Sequence, residues 1–159
     1  MAVTTYWYAL AFVNAFSKGI DFTSETKINA LLTTATYAPN QDTHNDHADV
    51  TNQLSTANGY TAEDGSDTGL SLTSTTVTNT NNVVTLDTVD PQWTFTGAGN
   101  TARRLVLLDV SSGVSATDPL ILWSDFGANE TASGGGTFTY TVNASGWATI
   151  TAADATGFP

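Results

Sequence analysis

Apolar positions in this chain come in short bursts rather than in long periodic stripes. The two densest, 105–108 (LVLL) and 120–123 (LILW), are separated by a segment of Ser, Gly, Thr, Asp and Pro. Each run is too short for a helix and does not alternate, which predicts two joined strands buried on both faces. The hairpin over 101–126 is therefore expected at the centre of the fold. Downstream, 137–142 (TFTYTV) alternates strictly and 146–151 (GWATIT) follows a turn, a pattern read as a second hairpin. Asn81-Asn82, between apolar-containing runs at 75–80 and 83–86, predicts a tight turn, because Asn tolerates the left-handed backbone. Further strands are expected at 20–22, 27–34, 70–72 and 92–96. Short strands at this spacing predict a mainly β fold, an antiparallel sandwich or a jelly-roll-like barrel.

One segment reads as helix. Residues 6–16 space Tyr6, Leu10, Val13 and Phe16 along one helical face, with Thr4 or Thr5 as N-cap and Gly19 just past the end. Trp7 and Phe12 fall off that stripe, so the helix is expected to bury two faces. The organisation that follows is a single β-rich domain over 1–159, with a helical arm at 1–19, the sandwich at 20–153 and a short tail at 154–159. The polar stretch 37–60 is long for a structureless loop in a compact domain, so a functional role or close packing is expected there, with a helical turn near 48–54. The leading apolar segment has no positive charge ahead of it and reads as part of the mature fold. No stretch approaches the roughly 18 apolar residues of a membrane span.

Composition narrows the partners. Thr makes up close to a fifth of the chain, which suits the solvent face of pleated strands. The net charge is −11, with only four basic residues: Lys18, Lys27, Arg103 and Arg104. No basic patch exists to grip a phosphate backbone or an anionic membrane, so neither nucleic acid nor membrane is an expected partner. The chain has no cysteine and hence neither disulfides nor thiolate metal sites.

The densest cluster of chemistry is 42–49 (DTHNDHAD), with His44 and His47 three apart among Asp42, Asp46 and Asp49. Imidazole and carboxylate at that spacing suit a Zn or Ni site, for which His44, His47 and Asp46 are the ligands to consider. The reading favoured here is a capped, hydrogen-bonded loop and no cofactor. Glu63, Asp64 and Asp67 resemble a fragment of a calcium loop but lack its terminal acid, and read as a solvated turn. No phosphate loop or dinucleotide fingerprint occurs, and catalysis is not expected. Trp93, Trp123 and Trp147 lie in strand patterns that predict burial rather than a sugar-stacking platform. Arg103 and Arg104 stand at the mouth of the central hairpin, either paired with a local carboxylate such as Asp87 or Asp125 or anchoring a second subunit.

Several segments in order, IDFTSETKINALLTTATYAPNQDTH, GYTA, TARRLVLLDV, DPLILWSDFG and GTFTYTVNASGWATIT, resemble a family of small virion proteins of tailed bacteriophages. The resemblance covers most of the chain and departs from the family at His47 and in the acidic, Thr-rich surface. It implies a non-enzymatic decoration or cement protein on the outer capsid shell, with the major capsid protein and further copies of itself (dimer or trimer) as partners. On that implication the capsid or subunit contacts would fall to Tyr6, Trp7, Leu10 and Phe12 of the arm, His44 and His47 of the long loop, and Arg103 and Arg104. A neck or tail component and a carbohydrate-binding or adhesin-like module are the alternatives.

Overall fold

The computed structural model describes residues 3–17, 19–23 and 27–152. In chain order it contains β1 (Thr4–Trp7), α1 (Ala9–Ser17), β2 (Ile28–Thr33), a 3₁₀ turn (His47–Asp49) and β3 (Leu70–Ser71). Then follow β4 (Thr76–Thr80), β5 (Val83–Asp87), β6 (Gln92–Thr94), β7 (Asn100–Asp109), β8 (Leu120–Ala132), β9 (Thr137–Thr139) and β10 (Ala148–Thr151). The chain is mainly β, with antiparallel sheets and one short N-terminal helix. Its strands form a five-stranded sheet ordered β1-β8-β7-β2-β3, a three-stranded sheet β10-β5-β4 and a pair β6-β9. The expected tail at 154–159 and Lys18 lie outside the described residues.

The two unbroken apolar runs pair as β7 and β8 at the middle of the large sheet, and both faces of that sheet are covered. On one face Ile28, Ala30, Leu32, Leu105 and Leu107 pack with Leu86, Trp93, Phe95 and Trp147 of the smaller sheets. On the other, Leu31, Val106, Leu108 and Leu120 pack under Tyr8, Ala11, Tyr37 and Val50. The second face explains the missing alternation: every residue of β2 is buried. The stretch 37–60, too long for a free loop, covers it through Tyr37 and Val50 together with Tyr8 and Ala11. Leu54 N–H donates to the Leu32 carbonyl and Thr34 N–H to the Asn52 carbonyl, while the Tyr60 hydroxyl accepts from Leu32 N–H. Those bonds continue the ladder along the edge of β2 and satisfy backbone groups that burial would otherwise orphan.

Several expectations are corrected. The helix does not begin at residue 6: 4–7 is a strand paired with β8, Thr4 opposite Asp125 and Trp7 opposite Leu122, so neither Thr4 nor Thr5 caps α1. Gln41 performs that role through its backbone carbonyl, which accepts from Ala9 N–H. Starting the helix at Ala9 rotates its inward face to Ala11 and Asn14, and leaves Val13 and Phe16 outside. Gly19 does terminate α1, at φ +74° with its N–H on the Asn14 carbonyl. Residues 20–22 form no strand.

The expected hairpin of 137–142 with 146–151 is absent: β9 pairs with β6, and β10 with β5. Phe138 opposite Trp93 also packs on Phe95 and Phe126, so aromatic contacts between distant segments outcompete the local pairing. Gly146 is pressed so close to the Leu86 carbonyl that a Cβ there would stand 2.3 Å from its oxygen, and Trp147 N–H donates to that same carbonyl. The Asn81-Asn82 turn is as expected, with both residues at positive φ (50° and 62°).

Candidate functional site, an apolar face at the N-terminus

The short helix is held from behind by polar bonds and apolar contacts. Tyr8 N–H donates to the Ile121 carbonyl, the Asn14 amide donates to Asn45 Oδ1 at 2.8 Å, and the Gln41 amide donates to the Trp7 carbonyl. With Ala11 and Asn14 turned inward, the outer side of α1 presents apolar residues to solvent. Phe16 is 93% exposed and Val13 56%, with Phe12 exposed beside them. Trp7 leans on Phe12 at a centroid distance of 4.9 Å. Between α1 and the three-stranded sheet runs a groove of about 360 Å³, floored by Leu86 and Ile121 and rimmed by Phe12, Phe22, Val77 and Ile150. Asp21, the one carboxylate among its described lining residues, is held below the usual carboxylate range by bonds from the Thr23 hydroxyl and N–H. Exposed apolar surface gathered this way on a folded chain is the usual mark of a contact site.

Of the residues singled out from sequence, Trp7 and Phe12 line this groove and Leu10 is half-buried on α1. Tyr6 sits on the strand beside them, stacked on Trp123 at 4.5 Å. Val13, Phe16, Val77 and Ile150 were missed. Spacing counted from residue 6 puts the first two on the helical stripe, a phase that the strand-to-helix break at Tyr8 resets. Val77 and Ile150 lie in runs that the sequence marks as strands without saying which face is covered, and the structure places both on the rim of the groove.

The histidines lie elsewhere and apart. The Tyr8 and Tyr37 hydroxyls are hydrogen-bonded to each other at 2.8 Å, and the Tyr37 hydroxyl is hydrogen-bonded to His44 Nδ1 at 3.0 Å. His47 is buried, with Nε2 on the Gln53 side chain at 3.2 Å. Asp49 accepts from the N–H groups of Asn45 and Asp46, which hold it below the usual carboxylate range together with the nearby His44. Asn45 also donates to Asp46. The segment is the hydrogen-bonded loop favoured from sequence, and no three His, Asp or Glu among the described residues are placed to hold a metal.

Arg103 and Arg104 converge on Asp125, at 2.8 and 3.1 Å, and Arg104 also donates to the Tyr37 carbonyl. The local pairing therefore holds, with Asp125 and not Asp87 as partner, and both guanidiniums are engaged within the chain. Trp93 and Trp147 are buried, Trp147 stacked parallel to Tyr140 at 4.8 Å. Glu63, read as part of a solvated turn, is instead buried. It accepts from the Asn29 amide and from the N–H groups of Gly65 and Gly69, pinning the loop over β2.

No helix among the described residues is long and apolar enough to cross a membrane. Comparison with family models, with curated proteins and with solved structures finds no match to this chain.

Proposed function

We propose that this chain is a non-enzymatic structural protein of a tailed-phage virion that decorates or cements the outer capsid shell. The observation that carries the reading is the apolar face of α1, where Phe12, Val13 and Phe16 stand outside a well-packed β scaffold next to an open groove. A subunit that clamps a shell needs such a surface and a rigid body behind it. The segment resemblance supplies the identity of the shell, with the major capsid protein as the partner that covers the face. Burying three such side chains contributes about 1.5–3 kcal/mol each before association costs, enough for a multicopy contact.

Removing residues 1–16 does not test this, because it would strip β1 from the large sheet and Tyr8 and Ala11 from the core. Charge placed on the outer face does. Phe16→Asp with Val13→Asp should leave the thermal transition intact and abolish co-sedimentation with shells of the phage that carries the gene; undiminished binding overturns the assignment. Counting copies in purified virions separates the neighbouring readings. Hundreds of copies fit a decoration protein, a handful fits a neck or tail part, and none together with retention on a glycan array fits the adhesin-like module.

A further inference from the structure

We infer that two copies of this chain pair through the free edge of β4, joining their three-stranded sheets into one continuous antiparallel sheet. β4 is the outer strand of β10-β5-β4, all five of its residues are exposed, and no described residue bonds to its outer side. The two-residue turn at Asn81-Asn82 makes Thr80–Val83 the hydrogen-bonded pair that closes the hairpin. Counting back along the register, Thr78–Thr85 and Thr76–Asp87 are also hydrogen-bonded pairs, so Val77 and Asn79 turn their N–H and C=O groups toward the open edge.

Exposed edges of this kind are usually blunted by charge, proline or a bulge. This one has none of them: TVTNT is uncharged, and no charged residue occurs anywhere from 68 to 86 or from 131 to 153. In a chain of net charge −11 the β10-β5-β4 sheet is thus nearly free of charge, with Asp87 at its end.

The second copy is the occupant because the strand complements itself. Set antiparallel about a two-fold axis through Thr78, Thr76 meets Thr80 of the other copy, and Val77 exchanges backbone bonds with Asn79. Thr side chains then face Thr side chains along one surface, a favourable cross-strand pairing. The same symmetry sends the two Asp87 carboxylates to opposite corners, roughly 20 Å apart by strand spacing and rise, well beyond the screening length of about 8 Å. Because the axis is perpendicular to the sheet, both Val77 side chains stay on the groove side, and the two apolar grooves open on one common face. The closure is isologous and leaves no further edge of β4 to recruit a third copy. The pairing is a property of the isolated chain and stands whether or not the partner on the groove is a capsid.

The absence of cysteine makes the test direct. In the paired arrangement Thr78 faces its own copy at a non-hydrogen-bonded position, where cross-strand Cβ atoms lie within disulfide reach. Thr78→Cys should therefore oxidise to a covalent dimer about tenfold faster than Thr149→Cys, an exposed position on the same sheet that the symmetry keeps far from its copy. Light scattering should give the wild type twice the chain mass, and Thr78→Lys, which sets two charges face to face on the axis, should give a folded monomer by circular dichroism. Equal oxidation rates, faster linkage through Thr149→Cys, or a wild type of single-chain mass would each overturn the proposal.

Discussion

The side-chain amide of Asn29, on the buried strand β2, stands 2.6 Å from the carboxylate of Glu63, itself only 4% exposed. The contact ties a central strand to a loop more than thirty residues away, and Asn29 also reaches Asp67, which pairs with Lys27. A buried carboxylate survives only when its oxygens are bonded, and here one amide and two backbone N–H groups do it. Replacing Asn29 by Leu should lower stability by about 1–3 kcal/mol, since a buried acceptor loses its donor. Thermal melting should show this as a drop of several degrees, and Asn29→Leu combined with Glu63→Gln should lose less than the two changes summed. A melting temperature equal to wild type for Asn29→Leu would sink the account.

Asp125 sets the acid limb of stability. Burial alone would raise its carboxyl; the Gly127 N–H, the bond from Arg103 and the charges of Arg104 and Arg103 outweigh burial and hold it below the usual carboxylate range. A depressed folded value means stabilisation that is complete above the unfolded value of about 3.9 and disappears as pH falls through the folded one. Asp125→Asn should therefore be less stable than wild type at neutral pH, with the gap closing below about pH 4. Chemical denaturation midpoints from pH 7 down to the acid transition measure it, and parallel curves would refute it.

The Tyr8–Tyr37 pair governs the alkaline side. Burial raises both hydroxyls, Tyr37 to about 12 and Tyr8 further. In the unfolded chain both ionise near 10, so stability present below that pH is lost as it rises from about 10 toward 12. Tyr37→Phe should make this decline shallower, while Tyr60, also raised by burial, keeps a remainder of it. Denaturation midpoints against pH, followed alongside tyrosinate absorbance, give the answer; an unchanged slope in the variant would rule the pair out.

The centre of the fold was legible because 105–108 and 120–123 carry no alternation, and only burial on both faces accounts for that. The turn at 81–82 was legible because Asn-Asn suits positive φ. Misread was whatever depends on contacts between distant residues. Local alternation at 137–142 and 146–151 looked like a hairpin, yet Phe138 found Trp93, more than forty residues back. The apolar site was half legible: Trp7 and Phe12 were picked out, but the break at Tyr8 shifts the phase of α1, and no pattern upstream of it announces the shift. Glu63 was read as solvated because nothing adjacent to it in sequence shows that Asn29 waits beneath.

Strand β1 is joined to its neighbour across about three quarters of the chain, Thr4 opposite Asp125. At ordinary synthesis rates of about 5–20 residues per second, roughly ten seconds separate the emergence of the two partners from the ribosome. Through that interval β1 has no strand to pair with, and the exposed apolar residues of α1 travel with it. Non-local pairings of this kind also slow folding after release. The segment that carries the exposed apolar residues is thus the one left longest without shelter while the chain is made, and it is where folding yield should depend most on temperature and expression rate.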